Sequence, residues 1–244
     1  MALGDLPTGD EKRVRVRDMF DRIAPRYDAL NRVISAGLDQ RWRRRSLDKI
    51  GVGAGDLVID LACGTGDFCE LAQQRGARVV GVDFALQMLR YGRARGFDLD
   101  SVQGDGEWLP FRTASADVVT CGFALRNFVS LEAVLREIAR VLKPGGRYAL
   151  IDVDRPRWGP LRAAHSLYFD RVVPLIGGLV SDRQAYRYLP QSTAYLPAPE
   201  ALESMLLRSG FVAVEREVVL LGSAQILTGK RGVDGASMTA GDPS

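Results

Sequence analysis

A chain of 244 residues with 46% hydrophobic and 26% charged residues can bury a full core in one globular domain. Its formal net charge of +3 gives no electrostatic reason to expect a nucleic-acid partner. Three cysteines and one histidine are too few for a disulfide framework or a standard zinc site, so we predict buried thiols, no metal and a cytoplasmic location.

The first part of the chain is predicted to be helical. Met1–Glu11 is expected to be a loose tail, and the polar, charged start of the chain does not have the pattern of a secretory signal. From Lys12 to Ile50 apolar residues recur at helical spacing, with an interruption at Pro25. This stripe consists of Val16, Met19, Phe20 and Ile23, followed by Leu30, Val33, Ile34 and Leu38.

After a glycine-rich turn at Gly51–Gly55, short apolar strands alternate with helices. The predicted strands are Leu57–Leu61, Arg78–Val82, Ser101–Gln103, Asp117–Cys121, Arg147–Val153, Phe211–Leu221 and Ala224–Thr228. The predicted helices are Phe68–Arg75, Leu86–Arg95, Leu131–Leu142 and Pro199–Ser209. The sequence Lys143-Pro144-Gly145-Gly146 is expected to end the third of these helices. Such alternation predicts an α/β fold with a doubly wound, mostly parallel sheet.

The chain is predicted to divide into three parts. Residues 1–50 form an N-terminal helical segment, residues 51–231 form the main α/β domain, and residues 232–244 form a disordered tail. A helical cap is predicted as an insert at about residues 155–196 of the main domain.

A glycine-rich turn follows the first predicted strand and opens the first helix of the main domain. It contains Asp60, Gly64, Thr65, Gly66 and Asp67, and its glycines allow a ligand to approach the backbone closely. A dinucleotide fingerprint would need a third glycine, and two carboxylates would repel a pyrophosphate. They suit the cationic amino-acid part of S-adenosylmethionine (SAM), whose ammonium Asp60 could attract through water. The turn therefore favours SAM over a nicotinamide dinucleotide.

Two further acidic residues follow later strands. Asp83 stands 23 positions after Asp60 and ends the second strand, where a carboxylate can accept hydrogen bonds from both ribose hydroxyls. The alternative role for Asp83 is to cap the helix before Ala85. Asp105 and Gly106 follow the third strand, in a position suited to an adenine amino group. Three acidic positions in register strengthen the prediction of a Rossmann-like SAM site.

Several motifs resemble a known family, the C-methyltransferases of menaquinone and ubiquinone biosynthesis. The resemblance runs from about Val16 to Lys230. Its motifs are Phe20-Asp21-Arg22-Ile23-Ala24-Pro25-Arg26-Tyr27-Asp28, Asn31, Ser35, Trp42, Asp60 to Asp67, Leu109-Pro110-Phe111, Phe123-Ala124-Leu125-Arg126-Asn127, Arg140 to Gly146, Tyr186-Arg187-Tyr188-Leu189 and Ser192. The usual members methylate a polyprenylated quinol ring, so the resemblance implies a SAM-dependent methyltransferase that converts demethylmenaquinol to menaquinol.

The resemblance also implies roles for individual residues. Cofactor contacts carry over to Thr65, Asp83, Asp105, Gly106 and Gly122, the last at a position where the family often has serine. Arg126 and Tyr27 fall on the acceptor side of the expected pocket.

The chain departs from the family pattern on that acceptor side. Asp152 and Asp154 replace a Glu-x-Ser pattern, Asp39 stands where histidine is frequent, and a Leu-His pair is missing at Gly222–Gly229. Another small aromatic or natural-product acceptor therefore remains an alternative substrate. A non-catalytic SAM-binding regulator is the alternative from a different class.

In the expected reaction, a ring carbon of a deprotonated quinol takes the methyl group, and positioning supplies most of the catalysis. Arg126 is expected to stabilise the phenolate, because a guanidinium stays charged. Tyr27, Asp152 and Asp154 are candidates for handling the proton. His165 is expected to be an ordinary helix-surface or pocket-wall residue rather than the base.

The basic run Arg41-Trp42-Arg43-Arg44-Arg45 has two interpretations. The default is a solvated helix face, and the alternative is contact with anionic lipid headgroups. A polyprenyl substrate would favour a peripheral visit to the inner face of the cell membrane, with its tail along apolar residues of the stretch Phe169–Val180. A homodimer is also left open.

Overall fold

The computed structural model describes residues 7–154, 156, 159–160, 188 and 191–233. Most of the predicted cap insert lies outside the described residues, including His165, the apolar stretch Phe169–Val180 and all of the Tyr186–Leu189 motif except Tyr188. Nearly all of the predicted disordered tail lies outside them as well.

A seven-stranded sheet organises the described residues, with strand order β3-β2-β1-β4-β5-β7-β6. The strands are β1 (Leu57–Leu61), β2 (Arg78–Asp83), β3 (Ser101–Gln103), β4 (Ala116–Gly122), β5 (Leu142–Val153), β6 (Phe211–Val219) and β7 (Ala224–Arg231). The first five pair in parallel, and β7 runs antiparallel to both β5 and β6. This topology confirms the predicted doubly wound, mostly parallel α/β fold.

Helices cover both faces of this sheet. They are α1 (Gly9–Ile23), α2 (Tyr27–Ile34), α3 (Leu38–Ile50), α4 (Asp67–Gln73), α5 (Leu86–Arg93), α6 (Leu131–Val141) and α7 (Pro199–Arg208). One core contains apolar side chains of α6 and α7, and a second core contains side chains of α3, α4 and α5. The cores bury the sheet between two helical layers, as expected for continuous apolar strands. The three cysteines are free and buried, as predicted.

Most predicted elements agree with the observed ones within a few residues. The main difference is β5, which begins at Leu142 instead of Arg147. Leu142 already pairs with Ala116, and the pairing of β4 with β5 then shifts register before Val118 meets Arg147. Helix α6 ends just before the Lys-Pro-Gly-Gly sequence, as expected. The four residues of this sequence belong to β5, at the place where its pairing with β4 has a bulge-like irregularity.

The N-terminal segment differs from its prediction in two ways. The loose tail was predicted to extend to Glu11, but α1 begins at Gly9. The helical pattern is interrupted a second time, because Ala36 and Gly37 adopt left-handed conformations between α2 and α3. A short 3₁₀ helix at Ala24–Arg26 contains the predicted interruption at Pro25.

The basic run of residues 41–45 is only partly a solvated face. Arg41, Arg44 and Arg45 are exposed, but Trp42 and Arg43 are buried, with 8% and 4% of their surface accessible. The solvated interpretation is therefore wrong for these two residues, because α3 turns them towards the core. Within the described part of the chain, no helix is long and apolar enough to span a membrane.

Candidate active site

A cleft of about 670 Å³ opens at the carboxyl ends of the parallel strands. The chain crosses there from β3 on one side of β1 to β4 on the other, which is the place where doubly wound sheets bind ligands. Its lining includes many apolar and aromatic side chains: Phe20, Tyr27, Leu61, Val82, Phe84, Met88, Phe123, Phe128 and Val129. Predicted site residues in the same lining are Tyr27, Gly64, Asp83, Asp105, Gly106 and Gly122.

The two glycines of the predicted turn serve different purposes. Gly64 lines the cleft with a φ of 57°, and a Cβ there would lie 3.8 Å from Tyr27 and 3.9 Å from Met88. Gly66 has a φ of 91°, and a Cβ there would lie 2.8 Å from the ring of Phe97. Gly64 therefore shapes the ligand side of the turn, whereas Gly66 allows the turn to pack against the protein.

Asp83 lies at the floor of the cleft and is 6% exposed. One carboxylate oxygen accepts from the backbone N–H of Gly64 and the other from that of Ala85, both at 2.8 Å. Asp83 thus ties the glycine turn to the start of α5 while it lines the cleft. Burial raises the pKa of Asp83 to about 6, although the backbone donors oppose this shift.

Asp60 lies in a smaller polar pocket of about 290 Å³, which shares Tyr27, Ala62, Gly64 and Gly122 with the main cleft. Its carboxylate accepts from the Thr120 hydroxyl at 2.7 Å and from the Cys69 thiol at 3.4 Å. Burial raises the pKa of Asp60 to about 7.

Thr65 and Asp67 also line the polar pocket, and both are tied to other residues. The Thr65 hydroxyl donates to Asp28 of α2. Asp67 accepts from Arg95 at 2.7 Å. Burial alone would raise the pKa of Asp67, but Arg43 and Arg95 outweigh it and hold the pKa below its usual value. The negative charge of Asp67 is therefore largely neutralised, and the predicted attraction of a cation depends mainly on Asp60.

Asp105 and Gly106 form the far wall of the cleft. Asp105 accepts from the backbone N–H of Glu107 at 3.0 Å, and its second oxygen pairs with Arg13 of α1 at 2.9 Å. A Cβ on Gly106 would lie 2.8 Å from the Phe128 ring, so only glycine brings the backbone this close to that ring.

Helix α1 closes this end of the cleft. Lys12 donates to the carbonyl of Phe128 at 2.6 Å, and Arg13 and Phe20 line the cleft itself. Burial lowers the pKa of Lys12 to about 8, although Glu107 opposes the shift. Sequence reasoning missed Arg13, Arg43 and Phe128 as site residues, because their signal in the sequence is only that of an ordinary helix or loop.

Arg126 and Asp152 form a buried ion pair behind the cleft. Arg126 also donates to the Ser192 hydroxyl at 3.1 Å and to the carbonyl of Phe123 at 2.8 Å. The neighbouring Asn127 lines the cleft and accepts from the Tyr188 hydroxyl at 3.3 Å.

The other two predicted proton-handling residues lie in different environments. Tyr27 lines both pockets, and burial raises the pKa of its phenol. Asp154 pairs with Arg216 and is not among the described residues that line either pocket. The structure thus brings Tyr27 to the cleft, puts Arg126 and Asp152 behind it, and leaves Asp154 outside. The roles of all four remain predictions.

Comparison with known proteins identifies the family. A sequence model of the ubiE/COQ5 methyltransferase family matches residues 8–231. The chain belongs to this family. As a member of the ubiE/COQ5 family it is a methyltransferase, and SAM is the methyl donor that the family implies. No cluster of potential metal ligands occurs among the residues whose structure is described.

Relatives in the ubiE/COQ5 family match almost the whole chain. A demethylmenaquinone methyltransferase of Thermus thermophilus is 44% identical, over 87% of this chain and 100% of the relative. A ubiquinone/menaquinone biosynthesis C-methyltransferase of Geobacter sulfurreducens is 40% identical, over 91% of each chain. The fold is similar to that of a SAM-dependent methyltransferase from Aquifex aeolicus, with a TM-score of 0.59 and 14% identity, over 83% of this chain and 97% of that one.

Proposed function

We infer that the protein is a SAM-dependent C-methyltransferase of a quinol ring, converting demethylmenaquinol to menaquinol. The observation that carries this proposal is the 44% identity over the full length of a relative named demethylmenaquinone methyltransferase. The aromatic lining of the cleft, from Phe20, Phe123 and Phe128, suits a flat ring system.

The residues of the cleft fit SAM as the cofactor. Asp83 has both carboxylate oxygens fixed by backbone donors, so it needs no rearrangement to accept from ribose hydroxyls. Asp105 and the backbone of Gly106, which lies close to the Phe128 ring, are suited to the adenine. The space beside Gly64 is suited to the amino-acid part. When bound, SAM supplies an electrophilic methyl group on its sulfonium.

The chain's own groups then orient the acceptor and exclude water. Tyr27 has a raised pKa and stays protonated at neutral pH, so its phenol donates a hydrogen bond to an acceptor oxygen rather than taking a proton. The carboxylate of Asp152 neutralises much of the Arg126 charge. Arg126 therefore supports the wall of the cleft and affects a bound phenolate only indirectly. The apolar residues around Tyr27 keep water from the ring carbon.

Incubating the protein with methyl-labelled SAM and a panel of quinols and phenols tests this function. We expect label on a ring carbon of demethylmenaquinol, and a strong loss of turnover with little change of SAM affinity in Tyr27→Phe. Label only on another small aromatic compound would favour the alternative acceptor. SAM binding without transfer to any member of the panel would favour a regulatory SAM-binding protein.

The cellular setting is part of the same proposal. A quinol with a polyprenyl tail resides in the bilayer, so we propose a cytoplasmic protein that visits the inner face of the membrane peripherally. The division at residues 50 and 231, the cap insert at about 155–196 and the homodimer stay predictions.

A further inference from the structure

Arg43 is a buried cation on the wall of the polar pocket. It lies on α3, is 4% exposed and shares the pocket with Asp60, Gly64 and Thr65. Its Nε is buried and has no hydrogen-bond partner in the described part of the chain. A buried donor without an acceptor is costly, so an unpaired Nε beside a pocket indicates that a ligand supplies the acceptor.

The rest of the guanidinium is held in place. Nη1 donates to Asp39 at 2.7 Å, and Asp39 in turn accepts from the Ser35 hydroxyl at 2.7 Å. The group also lies near the rings of Phe68 and Phe123, at 5.5 and 5.1 Å from their centroids. These contacts fix the orientation of the planar group before any ligand binds.

The remaining edge of the guanidinium, formed by Nε and Nη2, has no hydrogen-bond acceptor among the residues that the structure describes. Asp67 lies 3.9 Å from Nη2, too far for a hydrogen bond, and is already bound by Arg95 at 2.7 Å. A Cβ at position 122 would lie 3.5 Å from Nη2, so Gly122 keeps this side of Arg43 clear. Two donors, Nε and Nη2, therefore remain available, and they form the edge with which arginine binds a carboxylate bidentately.

We propose that Arg43 binds the carboxylate of the amino-acid part of SAM and that Asp39 is its positioning residue. This inference deepens the proposed function and rests on it. The amino-acid part is a zwitterion, and the polar pocket offers the guanidinium of Arg43 for its carboxylate. Asp39, which stands where the family often has histidine, thereby contributes to cofactor binding indirectly, by orienting Arg43.

Calorimetry with two ligands tests the assignment on the full chain. The ligands are S-adenosylhomocysteine, the demethylated product, and its decarboxylated analogue, which differs by the carboxylate alone. In the wild type we expect the analogue to bind at least about tenfold more weakly. In Arg43→Gln, S-adenosylhomocysteine should lose at least about tenfold in affinity, while the analogue should change by less than about twofold.

Arg32→Gln is the matched control, because Arg32 is partly exposed, lies 3.7 Å from the same Asp67 and is not part of either pocket. It should bind S-adenosylhomocysteine like the wild type. If Arg43→Gln misfolds because Asp39 loses its partner, the double variant Asp39→Asn/Arg43→Gln takes its place. Equal losses for the two ligands, or none, would overturn the role of Arg43 while leaving the proposed function intact. If neither ligand bound to the wild type, both proposals would fail.

Discussion

The carboxylates of Asp83 and Asp105 in the cleft differ in the kind of donor that holds them. Asp83 holds two backbone N–H groups with its two oxygens and still borders the cleft. Asp105 uses one oxygen for a backbone N–H and the other for Arg13. Backbone donors fix Asp83 more firmly than a long arginine side chain fixes Asp105, so we expect Asp83 to be the stronger ligand for a ribose hydroxyl.

Replacing Asp83 by Asn should weaken S-adenosylhomocysteine binding by about 1–3 kcal/mol, the usual loss when a hydrogen bond to a charged acceptor is removed. Isothermal titration calorimetry measures the loss. Asp98→Asn, which removes a similar charge from an exposed position, serves as control and should bind normally. Wild-type affinity in Asp83→Asn would contradict the assignment of Asp83 to the ribose.

The buried carboxyl of Asp60 makes stability depend on pH. Its pKa of about 7 in the folded chain, against the usual 3.8, means that the fold favours the protonated form. The stability that this group contributes is fully present below pH 3.8 and is lost as the pH rises through 7. Asp60→Asn removes this dependence, so from pH 5 to pH 8 the variant should gain more than about 1 kcal/mol in unfolding free energy relative to the wild type.

Urea denaturation of both proteins at the two pH values measures that gain. Asp100→Asn, at an exposed position, should follow the wild type. A constant difference between Asp60→Asn and the wild type at pH 5 and pH 8 would show that the buried carboxyl does not titrate in this range.

Residues in strand-end motifs could be predicted from the sequence, and residues that reach the cleft from other elements could not. Asp60, Asp83 and Asp105 lie at or just beyond the carboxyl ends of parallel strands, so the sheet brings them to one edge. Arg13 and Arg43 reach the same place because α1 and α3 fold back over that edge, which no local pattern encodes. For Arg43 the sequence suggested a solvated surface, since it stands in a run of four arginines and one tryptophan.

At the scale of elements, we expect the two glycines of the turn to affect different properties, Gly64 the binding of the ligand and Gly66 the stability of the fold. Alanine at position 64 would be strained by about 1–2 kcal/mol at a positive φ, and its methyl group would point into the cleft without a clash. Alanine at position 66 would carry similar strain and would also force Phe97 to move. We expect Gly64→Ala to lose more affinity for S-adenosylhomocysteine, and Gly66→Ala to lose more stability.

Thermal melting of the two variants, with calorimetry well below both melting temperatures, distinguishes these effects. The wild type measured in parallel provides the reference for both. The opposite order of the affinity losses would mean that the Gly66 side of the turn, rather than the Gly64 side, faces the ligand.

Helix and strand positions were predictable where periodicity and strong terminators coincide. Leu57–Leu61 and Ser101–Gln103 match their predicted bounds because turn residues flank both strands. The break between α2 and α3 escaped prediction, since Ala36 takes a left-handed conformation that its side chain does not favour. Gly37 is also left-handed, and its N–H donates to the carbonyl of Arg32 at 2.8 Å, which ends α2 locally.

At the scale of the whole molecule, the sequence predicted the fold class and the contribution of Tyr27 to the site, but not the other contributions of the N-terminal segment. The predicted N-terminal segment contributes Arg13, Phe20 and Tyr27 to the cleft, and Asp28 to the turn through Thr65. The candidate cofactor site is therefore built from both sides of the predicted boundary at residue 50. We infer that the segment is needed for cofactor binding and is not only a spacer before the main domain.

The basic face of α3 carries the prediction for membrane contact. Arg45 is paired with Glu217 at 2.7 Å, so Arg41 and Arg44 are the residues of the run best placed to meet anionic lipid. Each basic residue near such a surface contributes about 1 kcal/mol, so Arg41→Gln/Arg44→Gln should reduce co-sedimentation with anionic vesicles by roughly tenfold or more at low salt. Arg112→Gln/Arg136→Gln removes the same charge from other exposed positions and should bind like the wild type. Equal losses in both variants would show that net charge alone, and not the face of α3, determines the binding. If the wild type stayed in the supernatant at low salt, the membrane proposal would be wrong.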